Sequence, residues 1–195
     1  EETPEAIRLS VPIIKDIIRA YRIPILEIAG YEADDVIGTL ATKAGQQGIT
    51  TYMMTPDKDY GQLVTDHVFM YRPKYGDKEF EVMGVEQVKA KFDIQSPVQV
   101  IDMLGLMGDA SDNIPGCPGV GEKTAQKLIA EFGSIENLLE HTDQLKGALK
   151  IKVETNREMI TFSKFLATIK TDVPIKLDMD ALVREQADEE ALRKI

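Results

Sequence analysis

One cysteine, two histidines and no long apolar run narrow the chemistry of this 195-residue chain before any motif is read. Cys117 has no second cysteine to pair with, so it builds neither an internal disulfide nor a cysteine-based zinc site, and it reads as a small loop residue. No stretch approaches the roughly 20 apolar residues that span a bilayer, and no signal-peptide pattern is present. A cytoplasmic location without membrane contact is the resulting expectation. Positive charge is also scarce: 23 Lys and Arg face 33 Asp and Glu, a net charge of -10. A surface that binds nucleic acid normally reads basic. That balance counts against a nucleic-acid partner unless bound cations cancel some of the acids and the remaining basic residues cluster. What is plentiful is apolar material, 43% of the residues, enough for one sizeable core or one core with a smaller helical appendage. The chain opens on Glu1 and a helix signal, which leads us to expect a piece of a longer protein.

Ile7, Val11, Ile14, Ile18 and Tyr21 recur on one helical face over residues 4–21, with Pro12 either kinking that helix or lying in its first turn after a Ser10 cap. PILEI at 24–28 is a short strand candidate. Residues 32–47 form a helix ending near Gly48, and TTYMMT at 50–55 is a second strand, which completes a β-α-β rhythm. HVFMYR at 67–72 is a third strand, followed by a hairpin around Gly76-Asp77. From about residue 84 the patterns are helical, broken by the loop IPGCPGVG at 114–121. The expected fold class is therefore α/β followed by a helical region, with a boundary near residue 95 that separates 1–95 from 96–195. The acidic residues from about 178 onward read as a peripheral helix or frayed tail. No internal repeat stands out.

The acids repay closer reading. Glu32, Asp34 and Asp35 follow the first expected strand, Asp57 and Asp59 in TPDKDYGQL follow the second, and Asp109 and Asp112 in GDASDNIPG lie in a later loop. Sites in open α/β sheets form beyond the carboxyl ends of strands, so the first two groups converge by topology. Like charges packed so closely raise one another's pKa unless cations neutralise them. Hard oxygen ligands without nearby histidine favour Mg²⁺ or Mn²⁺ over zinc, at a site for more than one ion. Each group alone also has an ordinary explanation. First-turn acids complement a helix dipole, Asp57 suits an Asx-turn after Pro56, Asp59 suits a short-helix cap, and GDASDN suits a capped loop. Their joint occurrence favours the metal site.

In GCPGVGEKTAQKLIAEFGSIENLL, residues 116–139, Gly119 and Gly121 flank Val120 at a helix start. Backbone amides there can approach a phosphate that the helix N-terminus also favours. Lys123, Thr124 and Lys127 in the first turns can reach a sugar-phosphate backbone. A second helix begins after Gly133, with Ser134 as its cap. The string is not a P-loop, because no GKS or GKT follows at the required spacing.

Taken in order, YEADDVIGTLA, TPDKDYGQLV, LMGDASDNIPGCPGVGEKTAQKLIAEFGS and KFLATIKTDVPI (164–175) resemble the motifs of the 5′ nuclease (flap endonuclease) family, in the form joined to a bacterial DNA polymerase. The resemblance covers nearly the whole chain. It implies a partial PIN-like α/β domain over 1–95 and a helical DNA-binding subdomain over 96–195, with a helix-hairpin-helix (helix-three-turn-helix) at about 112–133. It further implies 5′→3′ exonuclease and 5′-flap endonuclease activity that removes RNA primers and flaps with two Mg²⁺ or Mn²⁺ ions. Glu32, Asp34, Asp35, Asp57, Asp59, Asp109 and Asp112 fall on the family's metal positions, with catalytic roles for Asp57, Asp59, Asp109 and Asp112. Gly119, Val120, Gly121, Lys123, Thr124 and Lys127 fall on its DNA-binding hairpin, which also holds a monovalent cation such as K⁺. The implied partners are duplex DNA with a 5′ flap or RNA primer end, held through its backbone, and a polymerase portion of the same parent chain. The implied location is the bacterial cytoplasm at the nucleoid. His67 and His141 receive no role. The family's N-terminal strand with a further Asp, an Asp-bearing loop and a basic arch have no counterpart ahead of Glu1, so impaired catalysis is expected of the isolated chain. Two other readings stay open: a non-catalytic, sequence-independent duplex-binding module, and a phosphatase-like enzyme. The second lacks a DxD after the first strand and leaves the 116–121 loop without a task.

Overall fold

Residues 3–74, 76 and 79–195 are described in the computed structural model. The chain opens with α1 (Glu5–Ala20). Its apolar stripe forms as expected, but Ala20 is its only buried residue, and Ile7, Leu9 and Ile14 are all more than half exposed. Ser10 does not cap a helix start. Its hydroxyl donates to the Ala6 carbonyl at 2.7 Å within the helix, and Pro12 lies in the helix interior, where it removes one backbone donor. The strand expected at 24–28 is absent. Pro24 lacks an N–H, and no strand lies alongside this segment among the described residues, so its backbone has no ladder to join.

The next elements follow the sequence pattern. Helix α2 (Ala33–Gln46) buries Val36, Ala41 and Ala44 on one face and stops where Gly48 turns left-handed at φ 73°. Strands β1 (Thr51–Met54), β2 (Val68–Pro73) and β3 (Phe80–Met83) form a sheet in the order β1-β2-β3. β1 runs parallel to β2, pairing Met53 with Met70, and β2 runs antiparallel to β3, pairing Met70 with Met83. The parallel crossover from β1 to β2 is a 3₁₀ turn, Lys58–Leu63. The antiparallel β2–β3 pairing is that of the expected hairpin. Gly76 in its tip has φ 92°, and Asp77 lies outside the described residues.

Helices follow: α3 (Val85–Phe92), α4 (Val100–Met107), α5 (Glu122–Phe132), α6 (Ile135–Glu140), α7 (Gly147–Thr155), α8 (Arg157–Ala167) and α9 (Glu189–Lys194). Helix α4 is apolar nearly all round, which suits its place at the centre. Its Val100, Met103, Leu104 and Leu106 are fully buried in one continuous core that runs from the sheet (Met53, Val68, Met70) to Ile129, Leu138 and Ile160. A Cβ on Gly105 would sit 2.6 Å from Ile135 Cδ1 and 3.2 Å from the Lys164 backbone, so glycine sets how closely α4 meets α6 and α8. Buried Asp102 accepts hydrogen bonds from Ile135 N at 2.9 Å and Lys164 Nζ at 2.6 Å, and so ties the same three helices together. The acidic C-terminal stretch ends in the peripheral helix α9, which is held to α1 by a bond from Asp188 N to Ala20 O at 2.7 Å.

Candidate functional site

The first acidic group stands in the first turn of α2, the second just past β1, and the third in the loop after α4. Past β1, Thr55 Oγ1 accepts from Asp57 N at 3.1 Å, and Asp57 Oδ1 accepts from Asp59 N at 2.9 Å, which caps the 3₁₀ turn. The turn chemistry foreseen for Asp57 is therefore real, but Asp57 and not Asp59 is the cap, because it is the Asp59 amide that needs the acceptor and the Asp59 carboxylate turns to the cleft. On α2, Asp34 accepts from the Tyr60 hydroxyl at 2.8 Å and Asp35 accepts from Lys170 N at 2.9 Å. After α4, Asp109 and Ile114 exchange two backbone hydrogen bonds, while Asp109 Oδ1 accepts from Ser111 N at 2.9 Å.

Glu32, Asp34, Asp35, Asp57, Asp59 and Asp112 thereby line one cleft of about 320 Å³, with the segment from Leu166 to Ile169 as its opposite wall. Asp109 lies behind them, paired to the Lys58 ammonium. At the centre, Asp59, Asp109 and Asp112 offer oxygens within 4.8 Å of one another. Oxygens around one Mg²⁺ at about 2.1 Å lie up to about 4.2 Å apart, so a small side-chain adjustment suits this set to a single ion. Asp59 Oδ1 is buried without a hydrogen-bond partner. A buried carboxylate oxygen without a hydrogen-bond partner, close to other carboxylates, suits a bound cation, and the all-oxygen donor set fits Mg²⁺ or Mn²⁺.

The electrostatics agree. Burial pushes the Asp59 carboxyl up to about 6; Lys58 opposes this, and the charges of Asp57, Asp112 and Asp109 add to it. The hydrogen bond from Lys58 holds Asp109 below the usual carboxylate range, against its desolvation. Burial, together with the bond to Asp34, raises the Tyr60 phenol.

The loop at 114–121 is shaped by its backbone. Cys117 N donates to Leu106 O at 2.7 Å and Gly116 N donates to Ser163 Oγ at 2.9 Å. Gly116 has φ 65°, and a Cβ there would lie 2.3 Å from Gly108 N, so no side chain fits. Val120 is buried and its N–H already donates to Cys117 O at 3.0 Å, which leaves only its carbonyl to offer, whereas Gly119 and Gly121 are exposed. Gly121 caps α5, and nothing lies within 4 Å of a Cβ built on it. Lys123 and Lys127 are exposed on α5 and Thr124 is half-buried. Ser134 caps α6 by accepting from Asn137 N at 3.2 Å.

Four contributors escaped the sequence reading. Lys58 and Tyr60 sit inside the DKDY string, yet only their contacts to Asp109 and Asp34 reveal a role. Lys170 closes over Asp35 from 135 residues away. Lys152 on α7 places its ammonium 3.4 Å from Gly119 O, and its position 33 residues downstream carries no signal. His67 is exposed and His141 bonds its own helix through Asn137 O, so neither enters the cleft.

Two family models divide this chain between them. The model described as "5′-3′ exonuclease, N-terminal resolvase-like domain" matches residues 1–93, and "5′-3′ exonuclease, C-terminal SAM fold" matches residues 95–190. The chain belongs to the 5′-3′ exonuclease family. In this 5′-3′ exonuclease chain the acidic cleft straddles the two models, with Glu32 to Asp59 in the first and Asp109, Asp112 and the 114–121 loop in the second. It is 43% identical to DNA polymerase I of Bacillus caldotenax over 191 residues, 97% of this chain and 22% of that one. It is 45% identical to DNA polymerase I of Bacillus subtilis over 183 residues, 93% of this chain and 21% of that one. The chain thus spans about a fifth of the length of the curated relatives it matches. Among solved structures, the 5′-exonuclease of bacteriophage T5 with bound zinc superposes with TM-score 0.69 at 22% identity, covering 100% of this chain and 70% of that one. The catalytic core of Rad2 in complex with a DNA substrate superposes with TM-score 0.63 at 16% identity, covering 99% of this chain and 62% of that one. These structures share the fold: α/β first and helical after it, as the sequence pattern predicts. Among the described residues, no helix is long and apolar enough to cross a membrane.

Proposed function

We propose that this chain is the 5′→3′ exonuclease and 5′-flap endonuclease part of a bacterial DNA polymerase I, acting on RNA primers and displaced 5′ flaps at the acidic cleft. The observation that carries this reading is the convergence of carboxylates from three separated segments on the unpartnered Asp59 Oδ1. Asp59, Asp109 and Asp112 hold one divalent ion, and Asp57 with Glu32, Asp34 and Asp35 provides for a second, Mg²⁺ or Mn²⁺ in each case. Such a pair activates water and stabilises the leaving oxygen of an in-line phosphodiester hydrolysis. The residues themselves set the geometry: Asp57 fixes Asp59 through its amide, Tyr60 fixes Asp34, and Lys170 N fixes Asp35.

Duplex DNA is held by the backbone amides of Gly119 and Gly121, on either side of Val120 whose own N–H is bonded to Cys117 O, with Lys123, Thr124, Lys127 and Lys152 near the phosphates, so binding is independent of base sequence. Gly119 O accepts from the Lys152 ammonium at 3.4 Å, which supports the reading that this loop's carbonyls can also take a monovalent cation such as K⁺. The division near residue 95 then separates a half that supplies most of the acids of the cleft from a half that grips DNA and supplies the opposite wall. On this reading the charge objection weakens, because seven of the acids stand at one cleft, where bound cations offset their charge. The partners are primer- or flap-bearing DNA and the polymerase portion of the same parent chain, at the nucleoid in the cytoplasm. Cleavage of a 5′-flap duplex in Mg²⁺, measured for the parent protein with and without Asp59→Asn, tests the reading. Retained cleavage in the variant sinks it, and salt-sensitive binding with no cleavage by either protein supports a holding module instead.

A further inference from the structure

Two lysines meet buried carboxylates in this fold, and they do so differently. Lys164, with a side chain only 17% exposed, bonds Asp102 at 2.6 Å and Glu136 at 2.8 Å, and Asp102 is completed by the Ile135 amide. That pair is finished. Lys58 has a side chain 36% exposed and reaches Asp109 Oδ2, with Asp59 Oδ1 at 3.5 Å, yet that Asp59 oxygen still lacks a hydrogen-bond partner. Asp109 Oδ1 is already taken by Ser111 N. The oxygen of Asp109 free of its own loop's backbone is therefore the one that Lys58 covers. Among the described residues, Lys58 is also the one cation ion-paired with the inner three acids.

We propose that Lys58 is the resident counter-cation of this centre, and that its ammonium must give up Asp109 before a divalent ion can use that carboxylate. The proposal rests on the metal reading above. A single positive charge leaves a buried oxygen unpaired, where a doubly charged ion with shorter bonds to oxygen satisfies all three acids. The flexible stem, already one-third in solvent, lets the ammonium swing outward without disturbing the 3₁₀ turn, whose cap is Asp57. Lys58 thus opposes metal entry and stabilises the metal-free cleft.

Titration of Mn²⁺ into the chain, followed by water-proton relaxation, should show Lys58→Met binding roughly tenfold more tightly than wild type, the equivalent of one partly exposed charge-assisted pair. Lys170→Met removes a charge beside the same cleft that pairs with no carboxylate, and should tighten binding by less than about twofold. Equal affinity for Lys58→Met and wild type, or equal gains in both variants, overturns the role of Lys58 and leaves the metal reading standing. No Mn²⁺ binding to either protein at millimolar levels overturns both. A measurement on the unmutated protein guards against a folding defect. Brief lysine acylation read by mass spectrometry should label Lys58 several-fold faster in Mg²⁺ than in EDTA, with Lys123 as the internal standard. An unchanged Lys58 rate overturns the proposal.

Discussion

The acidic cleft is built from side chains that the chain keeps far apart, whereas the 114–121 loop is built from neighbouring backbone groups. In the cleft, Lys58 and Asp109 are 51 positions apart, and the fold holds charge that resists being gathered. In the loop, glycine conformations and short bonds to Leu106 and Ser163 hold uncharged amides in place. The difference teaches where each region is vulnerable. Carboxylate changes should cost chemistry and spare the fold, while a change at Gly116, where no side chain fits, should cost the fold first.

The sharpest way to break that contrast is Asp59→Asn in the parent protein. Flap cleavage in Mg²⁺ should fall by about a thousandfold or more, since a carboxylate at the centre of the metal set is lost, while melting in EDTA stays level or rises. A lowered melting temperature without metal would show that the acid serves the fold. Next in size is Gly116→Ala. Its Cβ would meet Gly108 N at 2.3 Å from a left-handed backbone, so urea unfolding should show a loss of about 3 kcal/mol or more. A neutral result would mean the loop yields, contrary to its bonding.

A pH series sharpens the cleft side. Asp59 holds its proton up to about pH 6 in the fold, against 3.8 ordinarily. The folded chain therefore binds a proton that the unfolded chain has released. The stability this group confers is fully present below pH 3.8 and is lost as pH rises through about 6. In EDTA, stability should accordingly rise by on the order of 1–2 kcal/mol between about pH 7.5 and 5, and Asp59→Asn should flatten that slope. Asp109, held low by Lys58, has the opposite sign. Its contribution is present above its ordinary value and lost as pH falls below it. The smallest effect separates amide from charge on the loop. Gly121→Val, at a position where an added Cβ meets nothing within 4 Å, should lower stability by no more than about 1 kcal/mol, the cost of a poorer helix cap, and weaken duplex binding by about tenfold, without changing its salt slope. Lys123→Ala should cost only a few-fold and lower that slope by about one. Strong preference for one duplex sequence in either protein would contradict a backbone grip.

Residues 33–54 and the helices after 84 were legible because apolar spacing and glycine stops are local signals. Residues 3–28 were legible only in part. The stripe on α1 predicts a helix but not what covers it, and PILEI has strand-like residues but no neighbour, which a strand requires. The seven acids were visible because each sits at an element's end. What they do to one another was not visible, since pairing with Lys58, Tyr60 and Lys170 depends on folding. The loop glycines could be read as backbone devices, while Lys152 could not, because its contact to Gly119 arises from helix packing.

Helix α8 has one consequence beyond stability. Ser163 touches the loop, Lys164 anchors Asp102, and Leu166 and Ala167 form the cleft wall. These contacts fall within five consecutive residues, so about 6 Å of helix axis, just over one turn, separates the contact to the 114–121 loop from the wall of the acidic cleft. The helix works as a ruler with two marks. One residue inserted between the marks would turn the far mark by about 100° about the axis, so the helix fixes both the distance and the direction from the loop to the cleft.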